Sequence, residues 1–335
     1  MALLAVSSPV ISRVDAQVPA TAYAARRAAA TTRLSADLLL VPARSAFAAD
    51  DQLGFSQAPD FQYLTGLDDQ VGAVLVLDGR DRLSTLFVGR PSPLIRRGVI
   101  TPGAAAAERL HVTQVRSIDD LESWLGQRLA NAPTTVYVSG TDTRGAVATP
   151  LPMAASGLRW RSYLMGLGAT NVEPATRILR SLRDIKSAEE LAILRTVGRT
   201  SGAAFLAGLH ALKPGLSERQ SELAVINACV AAGARSHSFW PWTKSGATGV
   251  HSVLFESFQS YAEPARAMQS GELVRVDVGC QTAHYMGDVG RTAPVSGKFS
   301  PGQREAWDLF IAGYKAGLGA LRDGATKDEV FEAVI

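Results

Sequence analysis

Apolar and polar positions change period several times along the chain, and each change marks an element. Residues 38–41 are a continuous apolar run closed by Pro42, the pattern of a short buried strand. Residues 72–77 and 83–88 are two further apolar runs separated by Asp78-Gly79-Arg80-Asp81, which predicts a strand, a turn and a strand. Leu121, Trp124, Leu125 and Leu129 recur at helical spacing behind the capping candidates Ser117 and Asp119. Residues 136–138 predict another strand, and the Ala/Arg-rich segment 23–33 is helical by propensity. Strands alternating with helices in this way indicate an α/β unit of its own.

From Arg183 onward the pattern shifts to long amphipathic helices. Ser187 and Glu190 have capping-box spacing ahead of a helix whose apolar face is Leu191, Leu194, Val197 and Phe205. Lys213-Pro214-Gly215-Leu216-Ser217-Glu218 ends it, and Ser217 caps a second helix over 218–231. Residues 274–278 and 285–295 are β in character. A helix is expected over 301–321 with Pro301 in its first turn, and a last one from Lys327. We therefore divide the chain into an N-terminal tail, 1–20, an α/β domain, 21–178, and a second domain, 183–335.

Composition narrows the possibilities. A chain of 335 residues, 47% hydrophobic and 19% charged, has the apolar content to bury real cores and is not a disordered protein. The 34 basic and 31 acidic residues give +3, and the scattered arginines form no stripe, so no nucleic-acid partner is expected. No apolar run approaches the roughly 20 residues of a membrane helix, and no membrane partner is expected. Cys229 and Cys280 alone make neither a disulfide framework nor a cysteine-type zinc site. The N-terminal tail lacks basic residues ahead of its apolar stretch, so a cytoplasmic location is expected, with export as the alternative.

The one constellation with chemistry is the stretch 271–294. Val274, Val276 and Val278 alternate with Arg275, Asp277 and Gly279, so a strand here buries valines on one face and turns Asp277 to the other. Asp288 follows eleven residues later. A hairpin centred between Thr282 and Ala283 would set the two aspartates directly opposite each other. Carboxylates so placed repel unless a cation lies between them or they share a proton, which suits a divalent metal pair. The competing reading is that each aspartate is a turn former satisfying backbone N–H groups.

The residues resemble the pita-bread metallopeptidases, in their Xaa-Pro aminopeptidase (aminopeptidase P) and prolidase branch. The matching segments are Gly271-Glu272-Leu273-Val274, Asp277-Val278-Gly279, and Asp288-Val289-Gly290-Arg291-Thr292-Ala293-Pro294-Val295. Asp60-Phe61-Gln62-Tyr63-Leu64-Thr65-Gly66 is similar to the N-terminal-domain signature, where a Tyr-Leu-Thr-Gly turn precedes a strand. Residues 185–190 resemble the hinge that opens the catalytic domain, and 213–218 its Pro-Gly turn. The resemblance implies a creatinase/prolidase-type α/β domain followed by a pita-bread α+β catalytic domain. It implies that Asp277 and Asp288 are the first two ligands of a binuclear site, Asp288 bridging two divalent ions, manganese first and cobalt or zinc as alternatives.

It also implies hydrolysis, by a metal-bound water, of the bond between an N-terminal residue and proline. Its partners would be peptides with proline at the second position, and its assembly a homo-oligomer, dimer or tetramer. A prolidase acting on dipeptides, or a metal-free peptide-binding or creatinase-like protein, are the alternatives. Two departures stand out. The family's substrate-side histidine falls at Ser260, with His251 the nearest histidine upstream and an ordinary loop histidine its competing reading. No histidine follows His284, so the remaining ligands, one His and two Glu, are expected beyond Ile335. The catalytic domain is thus expected to be truncated, the chain inactive as it stands, and the valine face of the 274–278 strand incompletely covered.

Overall fold

The computed structural model describes residues 18–44, 57–89, 99–140, 153–250 and 266–335. The chain separates into two compact units, Gln17–Glu190 and Leu191–Ile335.

The first unit is built on β1 (Leu38–Pro42), β2 (Val74–Asp78), β3 (Leu83–Val88), β4 (Gln114–Ser117), β5 (Thr135–Val138) and β6 (Asn171–Pro174). They form one six-stranded mixed sheet in the order β4-β3-β2-β1-β5-β6, with β1 antiparallel to β2 and parallel to β5. The apolar run of β1 is buried on both faces because helices cover both. Leu39 and Val41 join Phe61 and Leu64 of α2 (Pro59–Thr65), while Leu38 and Leu40 join Leu121, Leu125 and Leu129 of α4 (Leu121–Ala130). Such a doubly covered strand reads as a run without alternation. The remaining helices of this unit are α1 (Ala20–Thr31), α3 (Ala104–Leu110), α5 (Met153–Gly166) and α6 (Thr176–Arg183).

The Tyr-Leu-Thr-Gly segment differs from the expected turn. Tyr63, Leu64 and Thr65 are the last turn of α2, and Gly66 closes it at φ 72° as a left-handed C-cap. The β2–β3 turn is held by Asp78, whose Oδ1 accepts the Arg80 N–H at 2.9 Å. Asp78 is itself buried and pairs bidentately with Arg128, at 2.6 and 3.0 Å.

The second unit contains α7 (Ala188–His210), α8 (Glu218–Ala231), β7 (Ser236–His237), β8 (Trp242–Ser245) and α9 (Ala247–Val250). β9 (Leu273–Val278), β10 (Cys280–Thr282), β11 (Tyr285–Met286), β12 (Val289–Pro294), α10 (Pro301–Ala320) and α11 (Lys327–Val334) follow. The strands form two three-stranded sheets, β12-β9-β8 and β11-β10-β7. Both helices expected after Pro294 are present, and Ser300 caps α10 by accepting the Gln303 N–H.

The valine face is better covered than the sequence suggests. Val274, Val276 and Val278 are at most 1% exposed, packed with Ala204 and Phe205 of α7 and Val225 and Cys229 of α8. Helices that precede the strand supply much of the cover, and Cys280 and Val295 from the chain after it join the same cluster. Gly208 permits the close approach, since a Cβ there would lie 2.7 Å from a Val225 methyl. Exposed apolar surface instead gathers on α10 and α11, where Leu309, Phe310 and Phe331 stand more than 60% exposed.

The two cysteines, too few for a disulfide framework, make a single bridge that the sequence reading did not anticipate. Cys229 of α8 and Cys280 of β10 form a bridge with Cα atoms 5.5 Å apart, closing a loop of 51 residues. It ties the covering helix to the chain three residues beyond Asp277. Chain-entropy arithmetic for a loop of that length gives about 4 kcal/mol. Reduction, or Cys229→Ser with Cys280→Ser, is expected to lower unfolding free energy by up to that amount, read as the denaturation midpoint with and without reductant. An unchanged midpoint would mean the bridge does not form.

In the first unit α6 places Leu179 in the core, and Ile185, 81% exposed, follows it. We propose that the domains divide near residue 183, a few residues ahead of the point where the two compact units meet. Limited trypsin digestion should then nick first at Lys186, whose exposed surroundings contrast with the packed strands upstream. A first cut between β2 and β3 would count against that division.

Candidate metal centre

β9 alternates as its sequence dictates: the valines face the helices, and Arg275 and Asp277 occupy the other face. The hairpin beyond it is tighter and shifted relative to expectation. Gln281 pairs with Met286 and Thr282 with Tyr285, so the turn is the two residues Ala283 and His284. Their φ angles, 48° and 67°, are both left-handed, as a two-residue type I′ connection requires. The same register continues between β9 and β12, where Val278 pairs with Val289 and Asp277 with Gly290.

Asp277 is therefore not directly opposite Asp288. Moving the turn centre by one residue slides the pairing by two, which keeps both aspartates on one face and makes them diagonal neighbours. Two glycines allow it. A Cβ on Gly279 would collide with the Gly287 carbonyl, and one on Gly287 with Ser201. The Gly287 N–H donates to the Cys280 carbonyl and to Ser238 Oγ, each at 3.0 Å. The strand pair thus pinches where Asp288 enters.

The side chains meet across that diagonal. Burial of Asp277, followed by the charge of Asp288 and a hydrogen bond with it, pushes the Asp277 carboxyl up to about 6. Asp277 Oδ1 is buried and has no hydrogen-bond partner. A turn-forming aspartate would spend its oxygens on backbone N–H groups. Here the carboxyl accepts the Val278 N–H, yet one buried oxygen is left over, which a turn-forming role does not explain. Trp242 of β8 is the cross-strand partner of Asp277 on the other side and is 2% exposed.

Among the described residues no group of three or more His, Cys, Asp or Glu side chains surrounds a common point. His251 and Ser260 lie outside the described residues, as does the loop 255–264. The chain leading to His251 is strongly anchored, however. Glu218, buried at 2% exposure, accepts the Ser245 N–H at 2.7 Å and the Ser245 hydroxyl at 2.8 Å. Glu272 pairs with Arg266, accepts the Gln269 N–H at 2.9 Å, and lies against Gly246, whose φ is 54°. Sequence reasoning placed Glu218 in the 213–218 turn and Glu272 in the segment ahead of the strand, and gave neither a bracing role. Both brace β8 and its exit. The pairing of an acidic residue with a Gly-containing segment far away left no periodic signal.

The comparisons with known proteins bear on the family and the fold. The model of metallopeptidase family M24 matches residues 192–335, and that of the aminopeptidase P N-terminal domain matches 23–137. The Xaa-Pro aminopeptidase of Escherichia coli is 30% identical over 311 residues, 90% of this chain and 67% of that protein. A probable Xaa-Pro aminopeptidase of Penicillium rubens is 27% identical over 84% of this chain and 58% of its own length. The chain thus spans about three fifths to two thirds of these curated relatives. Zinc-substituted E. coli aminopeptidase P in complex with product superposes at TM-score 0.73 with 28% identity, covering 95% of this chain and 72% of that one. Proline aminopeptidase P II of Yersinia pestis gives 0.74 and 27% at the same coverage. With its α/β domain followed by a pita-bread domain, the chain belongs to metallopeptidase family M24, in the aminopeptidase P branch.

Proposed function

We propose that the protein is an Xaa-Pro aminopeptidase, hydrolysing the bond between an N-terminal residue and a following proline. The observation that carries this reading is the Asp277–Asp288 pair, two carboxylates in contact with one buried oxygen unsatisfied. The donors fit a hard divalent cation: both are oxygens, and a cation between them removes the repulsion that raises Asp277. Asp277 and Asp288 would hold the ions, and manganese is the ion we propose, with cobalt and zinc as alternatives. Bound there, such ions supply Lewis acidity that activates water near neutral pH and polarises a peptide carbonyl.

The rest of the work falls to this chain's own residues. The dry valine face and the Cys229–Cys280 bridge fix β9 so that Asp277 cannot retreat from Asp288. Gly290 leaves the space beside Asp277 open, since a Cβ there would come within 3.4 Å of Oδ1. His251 is the proposed substrate-side residue, at the end of the segment that Glu218 and Glu272 anchor. Among the described residues no helix is long and apolar enough to cross a membrane. The bridge bears on location, because disulfides persist where thiol reductants are scarce. It weighs toward the exported alternative over the cytoplasmic one.

Asp288→Asn, in a form extended to the full length of its relatives, should abolish metal loading and turnover of an Xaa-Pro-Xaa tripeptide. The metal-free fold should lose nothing, since relieving carboxylate repulsion costs nothing there. Elemental analysis beside the turnover assay checks this, and a variant that keeps its metals and most of its rate would sink the assignment.

The raised Asp277 carboxyl gives a second test. Between about 4 and about 6 the unfolded chain releases this proton while the folded chain retains it, so the metal-free protein loses stability as pH rises through that window. Above about 6 the loss is complete and the slope ends. Asp277→Asn should remove this component from a melting-temperature profile. Below about 6, Mn²⁺ affinity should fall roughly tenfold per pH unit, because binding displaces the proton. Parallel profiles for wild type and variant would refute the shift.

A further inference from the structure

Alternation along β9 brings one more side chain to the carboxylate face: Arg275, two residues ahead of Asp277 and exposed. Its guanidinium lies over the ring of Trp242, 4.8 Å from the centroid, and Nη1 donates to the Gly249 carbonyl at 3.2 Å. Neither contact is a carboxylate. Its positive charge is felt at Asp277, where it opposes the effect of burial. A guanidinium presents five N–H donors in one plane, and these contacts occupy one of them. An aromatic face holds the plane while leaving its edge available for two parallel bonds to a planar anion. Trp242 is nearly fully buried, so the platform under the cation is fixed.

We propose that Arg275 is a specificity-determining residue that takes the C-terminal carboxylate of a short peptide substrate, favouring tripeptides ending in a free acid over amidated or longer ones. The proposal rests on the peptidase reading above. Spacing supports it. In an extended tripeptide cleaved after its first residue, the terminal carboxylate lies about 7 Å from the scissile carbonyl. Same-face neighbours on a strand are about 6.7 Å apart. Trp242 is the cross-strand partner of Asp277, so the ring under Arg275 keeps the cation on the carboxylate face. A dipeptide's carboxylate, about 3.5 Å from its scissile carbonyl, falls short of that reach.

Calorimetric binding of alanyl-prolyl-alanine and its C-terminal amide to the form extended to the full length of its relatives, with and without added Mn²⁺, tests the assignment apart from turnover. Wild type should bind the acid at least tenfold more tightly than the amide, and Arg275→Gln should reduce the acid to the level of the amide. Arg275→Lys, which keeps the charge but not the fork, should recover part of the difference. Metal content separates a substrate contact from mere balance of the Asp277–Asp288 charge. A variant that weakens both peptides alike and alters metal content would overturn the proposal in favour of charge balance. Equal binding of acid and amide by wild type, with Xaa-Pro turnover present, would overturn it alone. Failure to bind either peptide would overturn it together with the peptidase reading.

Discussion

Asp277 and Asp288 repel each other, and much of the second unit is arranged so that neither can escape. A carboxylate on a flexible loop would swing into water and titrate normally. Here Asp277 is on a strand whose reverse face is sealed by α7 and α8, with three valines almost wholly buried. Rotating or sliding that strand to relieve the repulsion would carry valines into solvent, at about 1.5–3 kcal/mol each. The hydrophobic face thus stores the electrostatic strain of the polar one. On the proposed reading a cation held there would draw affinity from that strain, with the unpartnered Oδ1 as a preorganised donor.

Register has to be held as firmly as the strand itself. The two-residue turn at Ala283 and His284, the Gly279–Gly287 contact and the Cys229–Cys280 bridge all act within a few residues of the aspartates. The turn sets which residues pair, the glycines let the backbones pinch, and the bridge fastens the pinch to α8. Larger side chains at either glycine would push Asp288 away from the diagonal. The second layer works on the opposite flank, where Glu218 and Glu272 hold β8 and the segment after it. Bracing of that kind suits a site whose geometry must survive loading and release of charged ligands.

These features were unevenly legible in the sequence. Strands β1 and β3 and helices α8, α10 and α11 follow from apolar runs and caps, because their burial is set by near neighbours. The face of each aspartate was legible as well, since alternation depends only on parity. Their exact pairing was not, because Ala283 and His284 carry no glycine or asparagine to announce a left-handed turn. The cover over the valines escaped for another reason. Much of it comes from Phe205 and Val225, tens of residues upstream, and contact at that separation leaves no local pattern. The Cys229–Cys280 pairing is hidden in the same way.

Arginine shows the same limit most clearly. Scattered along the sequence, the arginines look like compositional background. In the structure they differ by address. Arg27 is buried and donates to the carbonyls of Leu64, Leu110 and His111, closing helix ends that would otherwise be unsatisfied. Arg128 neutralises a buried aspartate, and Arg266 holds Glu272. Each of these directs its terminal nitrogens to protein acceptors. Arg275 has an aromatic platform, one carbonyl and an outward edge instead, on the face where the carboxylates gather. A charge's partners, rather than its density along the chain, therefore distinguish an arginine that builds the fold from one that waits for a ligand.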